Sequence, residues 1–261
     1  MMARARAAGL DVVALTDHDT VAGHAEARAS LPTGLTLVPG MEMSGRLDGH
    51  SVHLLGYLFD PADAALAAEC ARIRASRRSR ARAIVDRLAG LGVPVSWEQV
   101  TAIAAGGVVG RPHIARAMAA AGVIASPADA FGPDWLGAGG RAHVTRYAPD
   151  PARAIGLIRA AGGVAVLAHP RVSARGWQLP DAQIARLAAG LTGIEVSHPD
   201  QGQQERAHLG ALAARLGLVA SGGSDDHGEL TGYRIGCDTI APQAYERLVM
   251  QATGAAPVSG R

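Results

Sequence analysis

Lysine is missing from this chain: all 25 basic residues among its 261 are arginine. That absence excludes Schiff-base catalysis and a phosphate-binding P-loop, because both need a primary amine. Cysteine is nearly missing too. Cys70 and Cys237 are too far apart for a CxxC pair or a Cys/His finger, so no disulfide framework or structural zinc ribbon is expected, and a reducing cytoplasmic setting suits the chain best. Aromatic residues are only 3%, too few for a nucleic-acid module built on stacked bases. No uncharged apolar run reaches 18 residues and no signal-peptide stretch precedes Asp11, so no membrane partner is expected. A net charge of +2 argues against a general polyanion binder, and nothing indicates an obligate protein partner. What remains is 48% hydrophobic with a mean hydropathy of +0.12, which describes a globular chain of one large domain or one domain with an insertion.

Short apolar runs alternate with helical patterns, the signature of βα units and a parallel sheet or barrel. Strands are predicted over residues 12–16, 35–38, 51–57, 164–168, 193–197 and 218–221, and helices over 21–31, 150–161, 180–189, 203–216 and 242–252. Between residues 61 and 146 the alternation stops. Ala/Arg/Leu-rich helical stretches, predicted over 61–91, 96–105 and 111–121, read as an insertion into a barrel made of residues 1–60 and 147–261.

The predicted strands share a feature at their C-terminal ends. VVALTDHD ends on Asp17, His18 and Asp19, VPGMEMS on Glu42, VAVLAHP on His169, GIEVSHP on His198, and LVASGGSDDH on Asp225, Asp226 and His227. In βα barrels such ends lie on one face, where active sites are assembled. His53 alternates with Val52 and Leu54 and can reach the same interior. A lone histidine is usually an ordinary core or surface group, so His24 and His208 (helical, solvated), His50 and His143 (loops) are set aside. Several converging imidazoles and carboxylates would each cost about 1–3 kcal/mol if buried unsatisfied, and a metal cluster removes that conflict. Donors without thiolate suit Mn²⁺, Zn²⁺ or Fe²⁺, and the chemistry that follows is metal-assisted hydrolysis of a phosphoryl or carbonyl centre. In GVVGRPHIARAM, Arg111 beside Pro112 opens a helix, where backbone N–H groups and a guanidinium can hold an anion; an ordinary Pro-initiated helix is an equal reading. Arg74, Arg78 and Arg82 form an i, i+4 stripe, read first as a solvated helix face.

The stretches TDHDT, GMEMS, VHLLGY, GRPHIARAM, AGGVAVLAHP, GIEVSHPD and GGSDDHG, in this order, make the chain similar to the PHP (polymerase and histidinol phosphatase) phosphoesterases. The resemblance is specifically to the bacterial branch that hydrolyses nucleoside 3′,5′-bisphosphates and degrades short RNA from its 5′ end. The resemblance implies an α/β fold, a distorted (β/α)₇ barrel with a helical insertion. It implies two or three divalent ions, Mn²⁺ first and Zn²⁺ or Fe²⁺ as alternatives, on His18, Glu42, His53, His169, Asp225 and His227. It makes His18, Glu42, Asp225 and His227 catalytic through a metal-activated water, with Arg111, His113 and His198 touching a nucleotide or short oligoribonucleotide substrate. A histidinol-phosphate phosphatase and a non-catalytic PHP module are the alternatives. The family begins with a strand carrying His-x-His, and only 17 residues precede His18 here. The first strand is therefore expected to be missing from this chain, a late start assignment being favoured over a genuine truncation.

Overall fold

The computed structural model describes residues 1–107, 109–172 and 177–260; Val108 of the GVVGRPHIARAM segment lies outside them. The chain divides into two compact units, one made of Met1–Cys70 with Pro149–Arg261 and the other of Ala71–Ala148. Its strands are β1 (Val12–Leu15), β2 (Thr36–Leu47), β3 (His50–Tyr57), β4 (Val164–Ala168), β5 (Gly193–Ser197), β6 (Val219–Gly222) and β7 (Val258–Ser259). The helices are α1 (Met2–Ala7), α2 (His24–Ala29), α3 (Ala64–Gly90), α4 (Trp97–Ala104), α5 (Arg111–Ala120), α6 (Pro151–Ala160), α7 (Asp181–Ala188), α8 (Gln203–Leu216) and α9 (Pro242–Gln251).

In the first unit β1 to β6 pair in chain order within one sheet, and β7 adds to the start of β2. The parallel rhythm expected from the sequence is interrupted, because β2–β3 and β3–β4 are antiparallel while the other neighbours along β1 to β6 are parallel. The predicted strand 35–38 is a twelve-residue β2 that changes partner midway. Thr36–Pro39 pairs with β1, and Gly40–Leu47 pairs with β3. Pro39 and Gly40 look like the end of a strand in sequence but mark this handover. A Cβ on Gly40 would lie 2.9 Å from Thr16 Cγ2 and 3.0 Å from both Gly56 O and the Tyr57 ring, so three chain segments meet there only because the side chain is absent. Glu42 consequently sits inside β2, correcting its expected place beyond a strand end.

Val38, Leu55, Tyr57, Val164, Val166 and Val219 form a buried cluster with Leu248 of α9, while Met2, Ala5 and Ala27 pack with Leu35 and Leu37. Among the described residues β1 pairs only with β2 and β6 only with β5. A cavity of about 900 Å³ is lined by both strands and by Val38, Leu55, Tyr57 and Leu248. The predicted stretch 61–91 holds one helix, α3, which begins in the first unit and continues in the second, where Ile84, Leu88, Val100, Ile114, Met118 and Leu136 fill a separate core. Ser96 and Gln99 cap α4 reciprocally. No described helix is long and apolar enough to cross a membrane.

Candidate metal centre

Strand register places the donors. The chain leaving β1 continues beside β2 through a bridge between His18 and Glu42, with Asp19 N–H donating to Glu42 O at 3.0 Å. His53 lies opposite Ser44 on β2 and Ala168 on β4, one residue before His169. His198 follows β5, and Asp225 and His227 follow β6. His169 and Asp225 take positive φ angles of 28° and 45°, a conformation costly for residues with a Cβ and typical of groups aimed by their surroundings at a functional site.

Glu42 is the hub. Its Oε1 lies 2.6 Å from His53 Nδ1 and 3.0 Å from His169 Nε2, and its Oε2 lies 3.6 Å from His18 Nδ1. Asp225 is a second hub, 3.3 Å from His198 Nε2 and 3.5 Å from His227 Nδ1. The two are contiguous: the His18 and His227 rings lie 6.1 Å apart and the His169 and His198 rings 5.3 Å apart. All six proposed ligands and His198 are thus brought together. Ligand atoms of His18, Glu42 and His53 fall within 4.8 Å of one another, as do those of His198, Asp200 and Asp225. Imidazole and carboxylate without thiolate is a donor set for Mn²⁺, Zn²⁺ or Fe²⁺, and His18 Nδ1 is buried without a hydrogen bond, so these residues fit a metal cluster.

Burial opposes the Glu42 charge, yet His18 and His53 with the hydrogen bonds from His169 and His53 hold its carboxyl well below the usual range. Asp225 behaves alike. Burial and the Glu42 charge push its pKa up, while the His198 hydrogen bond with His227 and His169 brings it down to about 2. Burial, then Glu195 and Glu42, raise the pKa of Tyr57 and keep its hydroxyl protonated.

Arg111 and His113 belong to the second unit. Arg111 is the first residue of α5, its Nη1 donates to Leu136 O at 3.3 Å and its guanidinium lies over Phe131, and its pKa is lowered by burial and by the charge of Arg77. His113 Nδ1 accepts from Gly110 N–H at 3.1 Å and so caps its own helix. Of the arginine stripe on α3, Arg78 is exposed and Arg82 lies over Trp97. Two discounted histidines need correction. His24 is buried, not solvated, its Nε2 lying 2.8 Å from the carbonyl of Gly40, which fixes the β2 handover. His50 opens β3 and stacks on Trp177 at 4.3 Å instead of standing in a loop. His208 is exposed on α8 and contacts Asp181. His143 lies outside helix and strand as expected.

No family model matches the chain. It is 35% identical over 226 residues to a 5′-3′ exoribonuclease from Haemophilus influenzae, covering 86% of this chain and 82% of the relative. Against the 3′,5′-nucleoside bisphosphate phosphatase of Chromobacterium violaceum it is 34% identical, over 86% of this chain and 79% of that one. A crystal structure from Bifidobacterium adolescentis, provisionally assigned as a metal-dependent phosphoesterase, matches with a TM-score of 0.87 and 33% identity, over 97% and 90% of the two chains. The chain belongs to the PHP-type phosphoesterases.

In this PHP-type hydrolase several residues that support the cluster were not singled out as site residues in sequence. Asp19 is fully buried and accepts from Ser44 N–H at 2.7 Å and Ser44 Oγ at 2.9 Å, tying the His18 segment to β2. Glu195, inside β5, accepts from His169 N–H at 2.8 Å. Arg234 donates to both oxygens of Asp200 at 3.0 Å and to Asp225 O at 3.2 Å, while Arg206 grips Asp238 and donates to His198 O at 2.6 Å. Glu195 had a signal, a carboxylate flanked by Ile194 and Val196 within a short strand. The arginines had none, because their partners are set by tertiary packing.

Proposed function

We propose that this chain is a metal-dependent phosphoesterase of nucleotides, acting on nucleoside 3′,5′-bisphosphates or on short RNA from the 5′ end. The observation that carries the reading is Glu42, a buried carboxylate approached by three imidazoles beside a second carboxylate, Asp225, with two more. His18, Glu42, His53, His169, Asp225 and His227 would hold two or three divalent cations, Mn²⁺ first. Such ions, when bound, lower the pKa of a water and neutralise charge on phosphoryl oxygens.

The chain's own residues prepare the site. His198 Nδ1 accepts from Asp200 N–H at 3.1 Å, so a neutral ring carries its proton on Nε2 and donates it to Asp225. Glu195 fixes the backbone from which His169 projects, as outer partners of ligands commonly do. Arg111 and His113 are assigned to a substrate phosphate from the GRPHIA likeness. For Arg111 the local chemistry agrees: a guanidinium at a helix start, near the like charge of Arg77, gains from an anion. A cytoplasmic location is part of the same reading.

The test, with Mn²⁺, Zn²⁺ or Fe²⁺, is release of phosphate from adenosine 3′,5′-bisphosphate and from histidinol phosphate, and release of nucleoside 5′-monophosphates from a 5′-phosphorylated oligoribonucleotide. Turnover of either nucleotide substrate is expected. Turnover of histidinol phosphate alone would overturn the nucleotide assignment, and no turnover with any metal would overturn the enzymatic one.

A further inference from the structure

Tyr233 is 55% exposed although few aromatic residues stand on this surface, and its backbone φ is 57°. A bulky side chain in the left-handed region is a genuine outlier, held only where the surroundings over-determine it. They do so here. Tyr233 N–H donates to Gly228 O at 3.0 Å, and Asp226 accepts from Arg234 N–H at 2.8 Å and from Arg4 Nη2 at 3.1 Å. His227 N–H donates to Thr231 Oγ1 at 2.8 Å, closing the turn from the other side. The guanidinium of Arg4 stands 4.3 Å from the Tyr233 ring centroid, backing one face. A Cβ on Gly228 would lie 3.4 Å from the ring, so the ring rests beside the residue that follows His227.

A turn that spends backbone strain to present an aromatic ring, braced on one face by a cation and resting against Gly228, next in sequence to the ligand candidate His227, has the makings of a stacking subsite. We propose that Tyr233 is a specificity-determining residue, the platform on which the nucleobase of the substrate stacks; this rests on the nucleotide reading above. A single ring offers a π-face to any base without reading its edge, so the subsite distinguishes substrates with a base from those without one and accepts purines and pyrimidines alike. The ordinary alternative is an isolated exposed tyrosine that only packs against Arg4.

The two are separated by kinetics of the metal-loaded enzyme on adenosine 3′,5′-bisphosphate and on a base-free methyl ribofuranoside 3,5-bisphosphate. Tyr233→Asn removes the ring and keeps a side chain that tolerates positive φ, while Tyr233→Trp keeps an aromatic face. The ratio of kcat/KM for the nucleotide to that for the base-free substrate is expected to fall at least about fivefold in Tyr233→Asn, mainly through KM. That corresponds to the low end of base stacking, about 1 kcal/mol. Tyr233→Trp is expected to restore the ratio. Thermal midpoints of both variants report whether the turn still folds, and a general folding defect would lower both substrates together. An unchanged ratio in Tyr233→Asn, or a Tyr233→Trp no better than it, overturns the proposal. If the unmodified enzyme turns over neither substrate, the bisphosphate part of the nucleotide reading has failed instead. The subsite is then decided by calorimetric binding of adenosine monophosphate against ribose 5-phosphate, with an equal effect of Tyr233→Asn on both overturning it.

Discussion

Charge at Glu42 sets the chemistry of the first unit. A buried carboxylate is tolerable only when opposite charge or hydrogen bonds offset its lost hydration, and here three imidazoles do so, leaving donors of one chemical kind around a small volume. Glu195 shows how firmly those donors are placed. Its replacement by alanine strands the His169 N–H and is expected to destabilise the fold by about 1–3 kcal/mol, whereas glutamine retains an acceptor and costs less. Urea midpoints for Glu195→Ala and Glu195→Gln check this, equal values counting against the role. Arg111 carries the residue-scale prediction for the second unit. If it holds a substrate phosphate through a charge-assisted contact of about 1.5–3 kcal/mol, Arg111→Ala lowers kcat/KM on a nucleoside 3′,5′-bisphosphate by about 10- to 150-fold. An aryl phosphate, which has no second phosphate, loses much less. Equal behaviour of variant and parent on the bisphosphate would reduce Arg111 to a helix-start residue.

Among the elements, β2 does most to position the site, and its length was the least legible part of the sequence. The buried strands β4 and β5 were plain in the runs VAVLA and GIEVS, and both occupy the expected residues. Pro39-Gly40 hid the continuation of β2, because the same dipeptide that ends strands elsewhere here lets one strand exchange β1 for β3. Gly40→Ala is therefore expected to cost about 1–3 kcal/mol through overpacking against Thr16, Gly56 and Tyr57, and to weaken metal binding by displacing Glu42 two residues away. A parent-like melting midpoint would contradict this account of the handover. α7 and α8 are joined through Asp181, which accepts from His208 and pairs with Arg171. The His208 hydrogen bond outweighs slight burial and, with Arg171, lowers the Asp181 pKa. A carboxyl depressed in the folded state stabilises above its unfolded pKa and loses that contribution as pH falls through the folded value. The difference in urea midpoint between parent and Asp181→Asn should shrink from about pH 5 to below pH 3, and a difference independent of pH would contradict the linkage.

For the whole molecule, the strand-end donors were legible because a barrel places strand C-terminal ends on one face whatever fills the loops. His53 was legible by alternation alone. The antiparallel β3, the two-residue β7 and the buried role of His24 were not, since each depends on partners remote in sequence. The helical stretch 71–148 has a core of its own, so a fragment spanning residues 64–148 is expected to give helical circular dichroism and a cooperative melt. A non-cooperative melt would mean that its core is incomplete.

The central claim is that Glu42 organises a metal centre. Calorimetric titration of metal-free protein with Mn²⁺, the parent beside Glu42→Gln, tests it most directly. The account predicts saturable Mn²⁺ binding by the parent and at least a tenfold weaker affinity in Glu42→Gln, with phosphate release from adenosine 3′,5′-bisphosphate falling in step. A Glu42→Gln protein that binds Mn²⁺ as tightly as the parent and releases phosphate at the same rate would contradict it.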